Sequence, residues 1–180
     1  MSAHADQVRA DTLLVIGVHR AELAFGRAVA ERLPVSGMDV LAISDGLSGH
    51  HPLPDEVYRY ERVHQALYGQ LLSFIRPSHR LVVDLHTGTD SVGPCADIFT
   101  ASTHLRKRIA LEPVPVRCWA LGSGLHAGAR TVVPASIWNN PHFTYVALEI
   151  YLPPDGTGWE EAVDLAIFLL ERLRALPEQT

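Results

Sequence analysis

Three separate stretches of this 180-residue chain place histidine and carboxylate side chains where they could share one cation. The first runs Gly17-Val18-His19 and is followed by Glu22. The second, Asp84-Leu85-His86, brings a histidine 67 residues after His19, and Glu149 stands another 63 residues on, in the apolar setting Ala147-Leu148-Glu149-Ile150-Tyr151. Imidazole nitrogen and carboxylate oxygen are zinc ligands, and a catalytic zinc takes three ligands from protein while leaving a position for water. Residues three apart share a helical face, so His19 and Glu22 could converge on one ion with His86 as the third ligand. In a chain with 10 histidines and 20 acidic residues a His-x-x-acid pair arises by chance. Its position at a strand-to-helix corner gives this one its weight.

Glu149 lies among Val146, Leu148 and Ile150. Partial burial would raise its pKa and suit it to moving protons near neutral pH. Asp84 precedes His86 by two residues, so on a strand the two share a face. The carboxylate either orients the imidazole or serves as a strand-end hydrogen bonder.

These residues need elements that hold them together. Leu13 to Val18, a short, wholly apolar run, and Leu81 to Leu85, apolar but for Asp84, read as buried strands. Met38 to Ile43, Ile98 to Ala101, Val114 to Ala120 and Thr144 to Tyr151 are further strand candidates. Helical patterns cover Ala21 to Leu33, stopped by Pro34, then Pro54 to about Ile75, and Trp159 to Leu176. A Gly-, Thr-, Ser- and Pro-rich loop is expected after Leu85. Alternation of strands and helices predicts an α/β fold with helices on both faces of a mixed, mostly parallel sheet, whose functional groups gather beyond the carboxyl ends of the strands.

Composition narrows the function. A hydrophobic fraction of 47% and a charged fraction of 19% are those of a globular chain, and 180 residues suit one domain with a polar tail over residues 1–11. The net charge of -5 gives no general attraction to nucleic acid or anionic lipid. No apolar stretch is long enough to span a bilayer, and the polar start MSAHADQVRAD lacks a signal-peptide core, so a cytoplasmic protein is expected. Cys95 and Cys118 lack metal-site spacing and read as reduced, buried thiols. Neither a Gly-rich phosphate loop after the first strand nor a G-x-S-x-G elbow is present.

The segment GVHRAELAFGRAVAERL resembles the Gly-Thr-His-Gly-x-Glu segment of the zinc carboxypeptidase superfamily, above all its aspartoacylase and succinylglutamate desuccinylase branch. VVDLHTGTD resembles the Asp-Leu-His segment of that family, and VALEIY the strand bearing its catalytic glutamate. The likeness spans about residues 12 to 152, with the three motifs in order. It implies a three-layer α/β/α sandwich and one Zn2+ per chain held by His19, Glu22 and His86. It also implies that Glu149 deprotonates the attacking water and protonates the leaving amine. The substrate would be a small N-acyl amino acid or short peptide carrying a carboxylate.

That branch places an Asn–Arg pair between its first two motifs, and no such dipeptide occurs in this chain. Arg59 and Arg62, three apart on the second helix, could clamp a carboxylate instead, or form a solvated face with Glu56 and Glu61. Arg130, His142 and Tyr145 precede Glu149 closely enough to line a pocket, with His142 or Tyr145 donating to an oxyanion. His50, His51 and His126 read as loop histidines. The missing Asn–Arg pair leaves a second reading open, a metal- or ligand-binding relative without catalysis. The oligomeric state is open as well.

Overall fold

The computed structural model describes residues 10–34, 37–49, 52–121 and 132–176. Most of the polar start, residues 1–9, lies outside the described residues, as do His50, His51, His126 and Arg130.

Six strands form one sheet: β1 (Thr12–Ile16), β2 (Met38–Ala42), β3 (Leu81–Thr89), β4 (Cys95–Thr100), β5 (Val116–Ala120) and β6 (Thr144–Leu152). Their order is β2-β1-β3-β6-β4-β5, parallel throughout except where β4 runs antiparallel to β6. Every residue of β1 is buried, which explains the apolar run Leu13 to Ile16 after Thr12. The helices are α1 (Leu23–Arg32), α2 (Val57–Leu71), α3 (Thr103–Ile109), α4 (Ala135–Trp138) and α5 (Trp159–Ala175). Phe25 and Val29 of α1, Leu105 and Ile109 of α3, and the buried side of α5 pack with Leu14, Ile16, Val83 and Leu148 on one face of the sheet. Tyr68 and Leu71 of α2 and Ile137 of α4 cover Leu13, Val15 and Val82 on the other. The three-layer sandwich with a mixed, mostly parallel sheet is therefore present. No helix among the described residues is long and apolar enough to cross a membrane.

Two local features depart from the sequence reading. β3 does not stop at Leu85: His86 to Thr89 pair with Glu149 to Leu152 of β6, and these ladder bonds hold a Gly- and Thr-rich segment in the sheet. The short helices α3 and α4 carry too few residues for an apolar period to show. Arg106-Lys107-Arg108 closes α3, where basic side chains suit the negative end of the helix dipole. Cys95 and Cys118 are both free and partly buried. Cys118 pairs with Ile98, so it faces the side of the sheet opposite Cys95, and the two cannot bridge.

The exit from β1 is fixed by two glycines. Gly17 turns with φ +79°, a conformation glycine adopts freely. Gly46 approaches so closely that a Cβ there would lie 2.0 Å from the Gly17 carbonyl oxygen. The contact lets Leu47 N donate to Val18 O at 2.7 Å and Arg20 N donate to Leu47 O at 2.9 Å, which locks the backbone on both sides of His19. Gly46→Ala has no side chain to push aside. It should cost about 1–3 kcal/mol of unfolding free energy, read by denaturant melts, and should weaken any metal binding that depends on His19.

Candidate metal centre

His19 leaves β1 in extended backbone, and Arg20–Glu22 then form one 3-10 turn before α1 begins. Positions i and i+3 eclipse in that tighter turn, so His19 and Glu22 face each other without the α-helical turn expected from sequence. His19 Nδ1 lies 3.0 Å from Glu22 Oε1, and His86 Nδ1, from within β3, lies 3.0 Å from Glu22 Oε2. One ligand atom from each of the three residues falls within 4.8 Å of the other two. The side chains retain 18%, 10% and 13% of their accessible surface, enough to admit an ion.

The opposite nitrogens of both rings are already committed. His86 Nε2 is 3.0 Å from Asp84 Oδ2, an ionised acceptor, so it donates and leaves Nδ1 with its lone pair toward Glu22. Burial works against the Asp84 charge, but His86 and the hydroxyls of Tyr68 and Tyr145 outweigh it and hold the carboxyl below its ordinary pKa. His19 Nε2 meets His64 Nε2 at 3.2 Å. His64 Nδ1 lies 2.8 Å from the Tyr60 carbonyl, which can only accept, and burial lowers the His64 pKa. The Tyr60 carbonyl calls for the His64 tautomer with its proton on Nδ1. In that tautomer His64 Nε2 can accept from His19 Nε2–H, which would free His19 Nδ1 to serve as a ligand atom when an ion replaces the proton shared with Glu22.

Two lone pairs and a carboxylate thus converge, which is the donor set of a divalent cation. Zinc–ligand bonds of about 2.0–2.2 Å at tetrahedral angles put ligand atoms about 3.3 Å apart, close to the 3.0 Å contacts seen. Without an ion the same convergence binds a proton. Burial disfavours the charge on His86, but Asp84 and Glu22 raise its pKa well above the ordinary value. Burial likewise works to raise Glu22, yet the two histidines bring it down to about 2. The residues fit zinc.

Glu149 is beside this cluster. It registers with His86 across β3–β6, and its strand is an interior one, not an edge. Its carboxylate leans over the backbone of Gly88, where a Cβ would come within 2.9 Å of Oε1. Burial raises its pKa, as an acid–base group requires. The neighbours Val146, Leu148 and Ile150 point to the other face of the sheet.

The remaining candidates scatter. Arg59 lines a groove of about 280 Å³ with Leu47, Pro52, Tyr60, Val63 and His64, next to His19. Arg62 is exposed and outside that lining, so the two do not form a clamp. Tyr145 is buried and donates to Asp84 Oδ2 at 2.8 Å, so it supports His86 and does not reach an oxyanion. His142 precedes β6 and lines a cavity with Asp11, Arg80 and His104 at the amino ends of the strands, the far end of the sheet from the cluster. Arg130 is outside the described residues.

Sequence reasoning missed His64, Tyr68, Asp97 and Arg117. His64 and Tyr68, buried at the four-residue spacing of one helix face, carried the signal that could have exposed the first two. His64 holds the His19 tautomer, so its removal is expected to act on the metal and spare the fold. His64→Gln should keep divalent-metal affinity within a few fold. His64→Phe should lower it about 10–100-fold in chelator competition.

No protein-family model matches the chain, and no curated protein matches it. Solved structures do. A point mutant of murine aminoacylase 3 superposes with a TM-score of 0.50 at 15% identity, covering 92% of this chain and 64% of that one. The CwlD amidase from Clostridioides difficile, in complex with the GerS lipoprotein, follows at TM-score 0.49 and 10% identity, over 93% of this chain and all (100%) of the other. The succinylglutamate desuccinylase from Chromobacterium violaceum gives 0.44 and 18%, over 97% and 64%. This chain therefore spans just under two thirds of the aminoacylase and shares its fold, the fold that the three sequence motifs implied.

Proposed function

We propose that this chain is a zinc-dependent hydrolase that cleaves an amide bond in a small N-acyl amino acid or short peptide. The observation that carries the reading is the convergence of His19 Nδ1, His86 Nδ1 and the Glu22 carboxylate, each nitrogen turned toward the others by a buried partner. The fold shared with aminoacylase 3, by its name an enzyme acting on acylated amines, supports it.

His19, Glu22 and His86 would hold one zinc per chain. Zinc, when bound, supplies Lewis acidity for an amide carbonyl and for the attacking water. The protein's own residues do the rest. Glu149 takes a proton from the water as it attacks the carbonyl carbon, then gives that proton to the nitrogen as the carbon–nitrogen bond breaks. The products are a carboxylic acid and an amine. Burial raises the Glu149 pKa from its ordinary value, which supports a carboxylate that takes up and returns a proton. Asp84 and His64 keep the imidazoles from turning during the cycle.

Purified protein is expected to contain about one zinc per chain by elemental analysis, and His86→Ala to lose it. Full zinc retention in that variant would remove the site. Glu149→Gln should keep the metal but lower kcat on N-acyl amino acids by about 10²–10⁴-fold. Turnover that survives Glu149→Gln intact would reassign the proton transfers.

A further inference from the structure

A single row of the sheet runs from the metal ligands to an arginine. Strand register sets His86 beside Glu149, Glu149 beside Asp97, and Asp97 beside Arg117, so β3, β6, β4 and β5 present the four side chains on one face. Strands lie about 4.8 Å apart, so the Arg117 backbone is about 10 Å from that of Glu149. Its side chain comes back across that distance. Arg117 Cζ lies 5.6 Å from the centroid of Tyr151, which follows Glu149 by two residues on the same face.

The guanidinium is held from two sides. Nε donates to Asp97 Oδ1 at 2.5 Å and Nη2 to Oδ2 at 3.2 Å. The Tyr151 hydroxyl donates to the same Oδ2 at 3.3 Å and also reaches Glu149. Asp97 is buried, at 6% exposure, whereas the Arg117 side chain keeps 53%. An exposed arginine ordinarily samples many rotamers. This one has its Nε edge fixed and its Nη1 end left for a ligand. Bidentate carboxylate recognition uses that preorganised geometry. The sheet face around them carries Asp84, Asp97 and Glu149, with Glu22 beside it, so on the amine side of the cluster Arg117 is the cation among the described residues toward which an anionic ligand is drawn.

Proton transfer fixes the direction in which a substrate lies. Glu149 gives its proton to the leaving nitrogen, so the amine fragment is on the Glu149 side of the cluster, and the sheet continues from there to Asp97 and Arg117. The acyl fragment falls on the His19 side, toward the groove of Leu47, Pro52, Tyr60 and Val63. We propose that Arg117, aimed by Asp97 and Tyr151, is the specificity-determining residue that takes the free carboxylate of the amine fragment. The substrate is then an N-acyl amino acid or a peptide cut before its carboxyl-terminal residue. This rests on the hydrolase reading above.

The test compares zinc-loaded protein on N-acetyl amino acids with the corresponding N-acetyl amino acid carboxamides. The wild type should prefer the acids about 10-fold to 100-fold in kcat/KM, the scale of one charge-assisted pair. Arg117→Gln keeps a donor for Asp97 but no charge. It should erase the preference by raising KM for the acids with zinc content and kcat unchanged, although loss of the charge beside Asp97 lowers the melting temperature, whereas Arg59→Gln should leave the preference in place. An acid preference that survives Arg117→Gln, or that vanishes in Arg59→Gln instead, overturns the assignment while hydrolysis stands. If no compound is turned over, the hydrolase reading falls separately, and calorimetric titration with free amino acids and their carboxamides decides the site. Acid-selective binding lost in Arg117→Gln upholds it, and no acid-selective binding by the wild type overturns it.

Discussion

Asp84 Oδ2 accepts from Tyr68 at 2.7 Å, from Tyr145 at 2.8 Å and from His86 at 3.0 Å, and the geometry of the ligand cluster follows from that one oxygen. Asp84 is 1% exposed, and its other oxygen has no hydrogen-bond partner. A carboxylate buried on such terms costs the fold desolvation energy that an apolar residue would not, so its stabilising value is small. Its effect is directional. By fixing one proton on His86 Nε2 it turns Nδ1 toward Glu22, and a ring free to flip would present that lone pair only part of the time.

The same oxygen also docks a helix. Tyr68 belongs to α2, and so does His64, whose ring meets His19 and packs at a tilt against Tyr60 with centroids 4.0 Å apart. α2 is thus held against the sheet at two polar points, one behind each histidine ligand. Any shift of α2 would release both imidazoles together. The groove that α2 lines through Arg59, Tyr60 and Val63 keeps a fixed relation to the cluster for the same reason.

This division explains what could be read from the residues in order. His19, Glu22, His86 and Glu149 lie at or near the ends of apolar runs, and a parallel sheet collects such ends on one edge, so strand and motif together pointed to them. Tyr145 and His142 were drawn toward the cleft because they are near Glu149 in sequence. A strand rises about 3.3 Å per residue, so four residues place Tyr145 about 13 Å down β6, where its hydroxyl meets Asp84. The four-residue spacing of His64 and Tyr68 marked a helix face, but not the partner of His64, which is 45 residues away and on another element. Arg117 and Asp97 were invisible for a related reason. Their place beside Glu149 depends on β4 inserting antiparallel between β6 and β5, a pairing no pattern within either strand encodes.

The face that carries the cluster holds three carboxylates, Asp84, Asp97 and Glu149, and the turn after β1 adds Glu22 beside them. Like charges that close destabilise the folded state unless cations stand among them. Arg117 answers Asp97, His86 answers Asp84, and Glu22 is answered by whatever occupies the space between the two imidazoles. A proton there neutralises one charge, whereas a divalent ion neutralises two and engages all three donors. An ion that binds the folded chain and not the unfolded one stabilises it by about 2.7 kcal/mol at a hundred times its dissociation constant. The acidic face is therefore consistent with the proposed metal site. Repulsion among these groups favours occupancy by a divalent cation, and under the proposed function an ion held by His19, Glu22 and His86 would set Glu149, which registers with His86 across β3–β6, beside the reacting bond.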